Sequence, residues 1–278
     1  MWAISEFPMR FLSILLAGLF LAPLATTQQA PPRKKRILCI GAVKGFQHDA
    51  TSHGLATIWK LGQDSGLWET YIKTDTELLT KKKLTNNAKN LDYFDAVAFY
   101  TTGELDMDAS QKADLLSFVK EDGKGFLAIH SATDTFYKWP EYGDMVGGYF
   151  DQHPWNTFQA PVIVEDLTHP FVKHFPKAFT TYDEIYQAKD YSREKVRVLM
   201  RLDETKLDLN NPRVHRADRD FALAWLRNYG KGRVFYSTFG HTTESWDRPD
   251  IQKMWLEATK WCLGLSPNVD ATPRPKPQ

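Results

Sequence analysis

The sequence predicts an α/β fold with a doubly wound, mostly parallel sheet and helices on both of its faces. Three observations support this prediction. First, Arg36–Val43, Ala96–Tyr100 and Gly125–Ile129 are short apolar runs, typical of strands buried on both sides. Second, helix patterns separate these runs along the chain, and such alternation indicates a parallel sheet. Third, a length of 278 residues suffices for one sizeable core.

The helix patterns of the first half have recognisable ends. After the first strand, residues 50–66 form an amphipathic pattern that Gly66 closes, because glycine adopts the left-handed cap conformation easily. The segment Trp68–Thr74 then alternates as a second strand. After the third strand, Asp108 is placed to cap a helix that Gly123 ends. These elements give the order expected of consecutive strand–helix–strand units.

The second half is less regular and predicts further strands with one final helix. The turn signal Tyr-Gly-Lys-Gly joins the last two of these strands as a hairpin. The strand-like segments are Phe158–Asp166, Lys195–Leu202, Asp220–Tyr229 and Gly232–Gly240, and the final helix covers Asp250–Leu263. No repeat or linker divides the chain, so we expect one folded domain.

The first thirty residues are typical of a secretory signal. Arg10 precedes the apolar run at residues 11–22, which is too short for a bilayer span of about 20 residues. We therefore expect export to the periplasm or the outside of the cell, with no stable membrane insertion after cleavage. The predicted organisation is a signal peptide at 1–27, a basic and proline-rich linker at 28–35, the domain at 36–265 and a disordered tail at 266–278.

Composition narrows the range of partners. With 35 basic and 34 acidic residues the net charge is +1, which argues against nucleic acid as a partner. No nucleotide cofactor is expected either. Cys39 and Cys262 lie in apolar patterns and are expected to be two separate buried thiols, although export would permit a disulfide. A homo-oligomer remains open, because oligomerisation leaves no trace in this sequence.

Histidines follow three of the predicted parallel strands. His48, His130 and His241 come after the first, fourth and last of them, where ligands bind in open parallel sheets. If the strand order brings these ends together, the three imidazoles converge on one cleft. They then suit either zinc or a similar divalent ion, or acid–base work near neutral pH. No compact metal motif decides between the two.

A second concentration of functional residues lies between Asp134 and Trp155. It mixes aromatic side chains with Asp134 and His153, and long irregular loops of this kind often cover a site. Glu184 lies between aromatic residues further on, so its carboxylate is a candidate base, orienting group or ligand. The predicted sugar-facing walls are Tyr137, Trp139, Tyr149, Trp155 and Trp246, and simple packing is the alternative for each.

Several of these segments resemble the ThuA family, the trehalose-utilisation type of proteins. The segments that carry the resemblance are GFQHDA, GFLAIHSATDTFYKWPEYGDMVGGYFDQHPW, HPFVKHFP, DEIYQ and LAWLRNYGKGRVFYSTFGHTTESW, in order between Arg36 and Gly264. The resemblance implies a flavodoxin-like fold of the class I glutamine-amidotransferase type. It also implies a link to disaccharide metabolism, with oxidised 3-keto sugars as the expected substrates.

The resemblance changes the interpretation of His130. Amidotransferases of this fold carry a cysteine nucleophile after the fourth strand, and here His130 holds that position while neither cysteine is near it. Glutamine hydrolysis through a thiol is therefore not expected. Ser131 follows, but the nucleophile-elbow pattern Gly-x-Ser-x-Gly is absent, which argues against a serine mechanism as well.

The leading hypothesis is an exported sugar-active enzyme, an isomerase, lyase or hydrolase of keto-sugars. The candidate catalytic residues are His130, Asp134 and Glu184, the candidate metal ligands are His48, His130 and His241, and His153 is a fourth candidate ligand. A non-catalytic carbohydrate-binding protein and a purely structural metal site are the alternatives.

Overall fold

The protein is described here from a computed structural model, which covers Met1, Ala3 and residues 33–277. The fold belongs to the unit Lys34–Gln278. The predicted signal peptide, residues 1–27, lies outside the described residues apart from Met1 and Ala3. None of the described helices is both long and apolar enough to span a bilayer.

Eleven strands and five helices make up the described fold. The strands are β1 (Lys35–Ile40), β2 (Trp68–Lys73), β3 (Ala96–Phe99), β4 (Gly125–Ile129), β5 (Tyr149–Gln152), β6 (Thr157–Val164), β7 (Ala178–Glu184), β8 (Gln187–Lys189), β9 (Arg197–Leu202), β10 (Ala222–Tyr229) and β11 (Gly232–Ser237). The helices are α1 (Thr51–Ser65), α2 (Ala109–Lys120), α3 (Pro140–Val146), α4 (Thr243–Asp247) and α5 (Pro249–Cys262).

Nine strands form one sheet in the order β2-β1-β3-β4-β11-β10-β9-β6-β7, and β5 pairs with β8 separately. The first five strands in that order are parallel and form what we call the parallel half. From β11 outwards every pairing is antiparallel, and β10, β9, β6 and β7 form the antiparallel half. The predicted α/β class with a doubly wound sheet is confirmed, with an antiparallel extension at one side.

The central strands of the parallel half are buried on both faces, β3 and β4 at every position and β1 from Ile37 onwards, because these segments are continuous apolar runs. In β1, Ile37 and Cys39 face the core that α1 and α5 cover, whereas Leu38 and Ile40 face the core that α2 and α3 cover. Side chains alternate across a strand, so a continuous apolar run fills both cores at once. The predicted strand runs therefore end up in the middle of the molecule.

The predicted end of α1 at Gly66 and start of α2 at Asp108 are confirmed, whereas α2 stops at Lys120 with Glu121 as its cap, before the predicted Gly123. Gly66 closes α1 with a left-handed φ of 68°. Asp108 caps α2 by accepting the Gln111 amide at 2.8 Å, while the Gln111 side chain accepts the Asp108 amide at 3.1 Å. This reciprocal pair satisfies two amides that the helix itself leaves without acceptors. Cys39 and Cys262 are both buried and free, as expected.

The described part of the predicted tail, residues 266–277, contains no helix or strand but contacts the folded unit. Ala271 is buried, and the carbonyl oxygen of Asp270 lies 3.3 Å from Nε2 of His169. Lys276 donates to Glu204 at 2.7 Å. These contacts place the described tail against the antiparallel half.

Candidate active site

The carboxyl ends of the parallel strands bring three histidines together. His48 lies in the loop between β1 and α1, His130 directly follows β4, and His241 lies in the loop between β11 and α4. The His48 ring centroid is 4.8 Å from that of His130 and 5.1 Å from that of His241. The predicted convergence of these three histidines is therefore confirmed.

Glu184 completes the cluster from the antiparallel half. One of its carboxylate oxygens lies 3.1 Å from Nδ1 of His241 and 3.8 Å from Nε2 of His130. One ligand atom from each of His48, His130, Glu184 and His241 can be chosen so that all four lie within 4.8 Å of one another. Two ligands of one tetrahedral zinc ion are roughly 3.4 Å apart. The distances of 3.1 and 3.8 Å from Glu184 to the two histidines lie on either side of that value.

His130 is held in one orientation by its surroundings. Its side chain is fully buried, and Nδ1 lies 2.5 Å from the carbonyl oxygen of Thr238, which accepts only an N–H. Nδ1 is therefore the protonated nitrogen, and Nε2 presents its lone pair to the cluster. Nε2 is buried and makes no hydrogen bond to any described residue. A buried nitrogen without a partner is costly unless something binds it.

The backbone of His130 is also unusual, with a φ of 45° in the left-handed region. Residues other than glycine adopt this conformation uncommonly, although histidine does so more often than most, and such backbone outliers concentrate at functional sites. The turn follows immediately after β4 and directs the imidazole towards Glu184. The backbone turn thus sets the direction in which the His130 side chain points.

Burial keeps two of the three histidines neutral. Desolvation, followed by repulsion from the other imidazoles, lowers the pKa of His48 to about 4 and that of His130 well below its ordinary value. The hydroxyl of Tyr186 lies 3.2 Å from Nε2 of His48. Neutral imidazoles with lone pairs are the form that metal ions bind.

His241 and Glu184 behave in the opposite way. Burial lowers the pKa of His241, but close contact with the Glu184 carboxylate outweighs it and leaves the pKa raised. For Glu184, burial raises the pKa, and His241 followed by the other histidines reverses that to a net lowering. Although the two groups meet at hydrogen-bond distance, Nδ1 of His241 is not in hydrogen-bond geometry. We regard the contact as an ion pair.

Asp183 fixes the loop that carries His241. Its buried carboxylate accepts the backbone amides of Gly240 at 2.8 Å and Thr242 at 3.2 Å. Burial raises the pKa of Asp183 to about 6, and the hydrogen bonds from these amides limit the rise. Asp183 is thus a positioning residue that ties the end of β7 to the end of β11.

A pocket of about 310 Å³ opens beside the cluster. Its volume is at the lower end of the range of about 300–1,000 Å³ for small-molecule sites. The aromatic walls are Phe46, Phe150 and Tyr186, and Asp134 and His153 line the pocket together with the cluster residues His48, Glu184 and His241. Phe46 is 64% exposed, which leaves its ring available to a ligand at the rim.

Asp134 is the carboxylate of the pocket that lies outside the four-residue cluster. Burial raises its pKa, and the hydrogen bond that it accepts from the Tyr137 hydroxyl at 2.6 Å opposes the rise. A desolvated carboxylate with a raised pKa is suited to proton transfer near neutral pH. The predicted catalytic role of Asp134 is therefore compatible with its place in the pocket.

Most of the predicted sugar-facing walls lie elsewhere. Trp139 and Tyr149 are buried in the core under α2 and α3, and Trp246 stacks on Trp255 in the opposite core. Trp155 packs edge-on against Phe221 at 5.1 Å. We therefore withdraw these four residues as walls of the pocket, because Trp139, Tyr149 and Trp246 fill the cores and Trp155 packs on Phe158 and Phe221 instead. Tyr137 does not line the pocket itself, but its hydroxyl donates to two lining residues, the Asp134 carboxylate at 2.6 Å and the Phe150 carbonyl oxygen at 3.2 Å.

His153 lies at the edge of the cluster, not within it. Its Nδ1 is 3.5 Å from the other oxygen of Glu184, and a third of its side chain is exposed. The group of four whose ligand atoms converge does not include it. His153, predicted as a further metal ligand, is therefore a neighbour of Glu184 that lines the pocket but lies outside the group of four.

The sequence prediction missed the aromatic walls Phe46, Phe150 and Tyr186. Phe46 precedes His48 by two residues and Tyr186 follows Glu184 by two, so each lies close in sequence to a residue that had been identified. That proximity was the available signal. Phe150 had no such signal beyond its place in an aromatic-rich loop.

Comparisons with known proteins agree with this architecture. The sequence model of a family described as "ThuA: Trehalose utilisation" matches residues 36–262. No curated protein matches the chain. A ThuA-like protein from Bacteroides uniformis is 20% identical and similar over 84% of this chain and 92% of its own, with a TM-score of 0.68.

Two further solved structures resemble this chain. A ThuA-like protein from Parabacteroides merdae is 17% identical, covers 88% of this chain and 94% of its own, and has a TM-score of 0.65. A glutamine amidotransferase from Thermotoga maritima is 10% identical, with 84% and 99% coverage and a TM-score of 0.47. At these identities the two ThuA-like structures support the fold alone.

Proposed function

Because the chain belongs to the ThuA family, we propose that it is a sugar-active enzyme that acts on 3-keto disaccharides or keto-glycosides. The reaction takes place in the pocket beside His48, His130, Glu184 and His241. One observation carries the proposal: a buried, unpartnered imidazole nitrogen of His130 faces a carboxylate that two further histidines approach. Such an arrangement is costly for folding alone and useful for binding or catalysis.

We propose that a divalent ion of the zinc type occupies the cluster. Once His241 gives up its proton, three neutral imidazoles and one carboxylate are a donor set that zinc prefers, and Nε2 of His130 already points its lone pair inward. The Nδ1 contact of His130 with Thr238 fixes the ring, as outer hydrogen bonds do for metal-bound histidines. A bound ion would polarise the carbonyl oxygen of a keto sugar and stabilise negative charge there.

The protein's own groups supply the proton transfers. A ketone acidifies the hydrogen on the neighbouring carbon, and Asp134 accepts that proton as its raised pKa permits. The electron pair moves into an enediolate. If the proton returns to the other carbon, the sugar is isomerised. If the glycosidic oxygen leaves instead, the electron pair forms a carbon–carbon double bond and the departing oxygen takes up the proton from Asp134. Addition of water across that double bond completes a net hydrolysis.

The pocket walls determine which ring is held. Phe46 and Phe150 offer apolar faces to the carbon–hydrogen face of a sugar, and the hydroxyl of Tyr186 lies within 3.2 Å of His48. Burial raises the pKa of the Tyr186 hydroxyl well above its ordinary value, so it stays protonated and donates. One sugar ring is thereby held between apolar walls with polar groups at its edge.

We also propose that the protein is exported. The apolar run at residues 11–22 after Arg10 supports this, together with the polar, proline-containing stretch that follows it. Mass determination of the secreted protein after expression in a host with a general secretion pathway tests the proposal. A protein that begins near residue 26 or 28 supports it, and retention of residues 1–27 contradicts it.

Elemental analysis combined with an activity assay tests the proposed function. Protein purified without chelator is expected to contain a stoichiometric divalent ion and to convert 3-keto-trehalose. In His130→Ala both are expected to be lost. In the control His53→Ala both are expected to persist, because His53 pairs with Asp247 at 2.7 Å on the surface of α1, away from the cluster.

Four outcomes separate the interpretations. Full activity in His130→Ala contradicts the central role given to this residue. Activity that persists after the ion is removed by a chelator supports proton transfer alone and contradicts metal dependence. Bound sugar without turnover supports a carbohydrate-binding protein, and an ion that only raises the melting temperature supports a structural metal site.

A further inference from the structure

A second cavity lies on the far side of His48. It has a volume of about 430 Å³ and is bounded by the end of β1, the end of β2 and the first turn of α1. His48 lines both this cavity and the pocket beside the cluster. We propose that this cavity, which we call the outer chamber, holds the second sugar ring of the substrate. The inference rests on the proposed function.

The outer chamber is next to the reacting centre along the chain. Gln47, His48 and Asp49 are consecutive, and all three line the chamber, while His48 also belongs to the metal-type cluster. A single loop therefore separates a pocket for one ring from a chamber for another. A disaccharide bound with its ketone at the cluster extends over this loop, which places the glycosidic oxygen near His48.

The chamber walls suit a neutral ligand rich in hydroxyl groups. The side chains of Gln47, Ser52 and Thr74 line it, and no described residue hydrogen-bonds any of these three side chains. Amide and hydroxyl groups both donate and accept, as recognition of sugar hydroxyls requires. They are therefore available to a ligand without breaking an existing contact.

The charge of the chamber excludes an anionic ligand such as a sugar phosphate. Asp49 contributes a carboxylate, and among the described residues neither lysine nor arginine lines the chamber. Recognition of a phosphate in proteins relies on arginine or lysine, and a carboxylate opposes it. Asp49 can instead accept hydrogen bonds from two neighbouring hydroxyls of a neutral ring.

Apolar surface completes the match. Ile72 at the end of β2 is 43% exposed although it is a large hydrophobic residue, and Leu55 of α1 lies beside it in the chamber wall. A pyranose ring has polar edges and an apolar carbon–hydrogen face. The chamber offers both kinds of surface in one cavity, as small-molecule sites do.

The test compares two substrates in two variants. Ser52→Trp fills the outer chamber from an exposed position on the first turn of α1. Ala56→Trp is the control, since Ala56 is exposed on the same helix one turn later and does not line the chamber. The substrates are 3-keto-trehalose and methyl 3-keto-glucoside, which lacks the second ring.

We expect Ser52→Trp to lower kcat/KM for the disaccharide at least tenfold and to change kcat/KM for the methyl glycoside less than twofold. Ala56→Trp is expected to change neither value. An equal loss for both substrates, or no loss for either, overturns the inference while the proposed function stands.

Absence of turnover in the wild type for both substrates contradicts the proposed function, and calorimetry with trehalose then decides the inference. Binding that Ser52→Trp abolishes and Ala56→Trp retains supports the chamber as a sugar site. Binding that Ser52→Trp leaves intact, or no binding of trehalose by the wild type, overturns it.

Discussion

The two halves of the sheet contribute differently to the site. The parallel half supplies His48, His130 and His241 from the carboxyl ends of its strands, as open parallel sheets generally do. The antiparallel half supplies the carboxylate Glu184, although β7 is the edge strand of the sheet, four strands beyond β11. The parallel half thus supplies the imidazoles, and the antiparallel half adds a carboxylate, so the site combines nitrogen and oxygen ligands.

The largest expected effect comes from removing the contribution of the antiparallel half. Glu184→Gln keeps the shape of the side chain but removes its charge. Because Glu184 approaches three histidines, we expect loss of metal affinity beyond the roughly 100-fold typical of outer-shell changes, and loss of turnover with it. Elemental analysis and steady-state kinetics measure both. Retention of the ion at wild-type affinity contradicts the mixed donor set.

The same variant has a readout that needs no activity. In metal-free protein the contact with Glu184 raises the pKa of His241, and His241 lowers that of Glu184. Because its pKa is raised in the folded protein, His241 stabilises the fold fully below its ordinary pKa of 6.5. Because its pKa is lowered, Glu184 stabilises the fold fully above its ordinary pKa of 4.5. The ion pair therefore stabilises the empty protein mainly between these values, and Glu184→Gln removes that stabilisation. NMR titration of His241 follows the change directly.

A smaller effect is expected from Asp134, which acts from outside the cluster. Asp134→Asn is expected to lower kcat about 100-fold with the ion retained, the low end of what proton transfer contributes. The wild-type rate is expected to fall as pH drops through the raised pKa of Asp134, because only the ionised form accepts a proton. In the variant this acid limb disappears. Loss of the ion in Asp134→Asn contradicts the division of roles.

The smallest expected effect distinguishes a pocket aromatic from a core aromatic. Phe46→Ala removes an exposed ring at the rim, so we expect KM to rise up to about tenfold with stability within about 0.5 kcal/mol. Trp139→Phe is expected to lower stability by about 1–2 kcal/mol and to leave KM unchanged, because Trp139 is buried in the core. An increased KM in Trp139→Phe would return Trp139 to the site. An unchanged KM in Phe46→Ala would remove Phe46 from it.

The sequence allowed the parallel half and its histidines to be predicted because both depend on local signals. A continuous apolar run predicts a buried strand, and the residue after its end lies at the ligand-binding edge. His130 could therefore be placed without knowledge of any distant contact. The same reasoning identified Asp108 and Gly66 at helix ends, where the local backbone decides.

The remaining part of the site depends on contacts between residues far apart in the sequence. Glu184 was a candidate, but its meeting with His241 requires the path of β7, which no local pattern reveals. The prediction of the aromatic pocket walls failed for a similar reason. Trp246 and Phe46 have comparable surroundings in the sequence, yet Trp246 fills the space that Gly54 of α1 leaves open, whereas Phe46 stands at a rim. Packing between distant elements separates them.

The backbone at His130 raises the question of why this position carries a histidine. A left-handed φ and a buried nitrogen without a partner both disfavour histidine at this position in the empty protein. If folding stability were the only pressure, glycine or asparagine would fit this backbone better. Histidine at position 130 is therefore better explained by the proposed binding or catalysis than by folding stability alone.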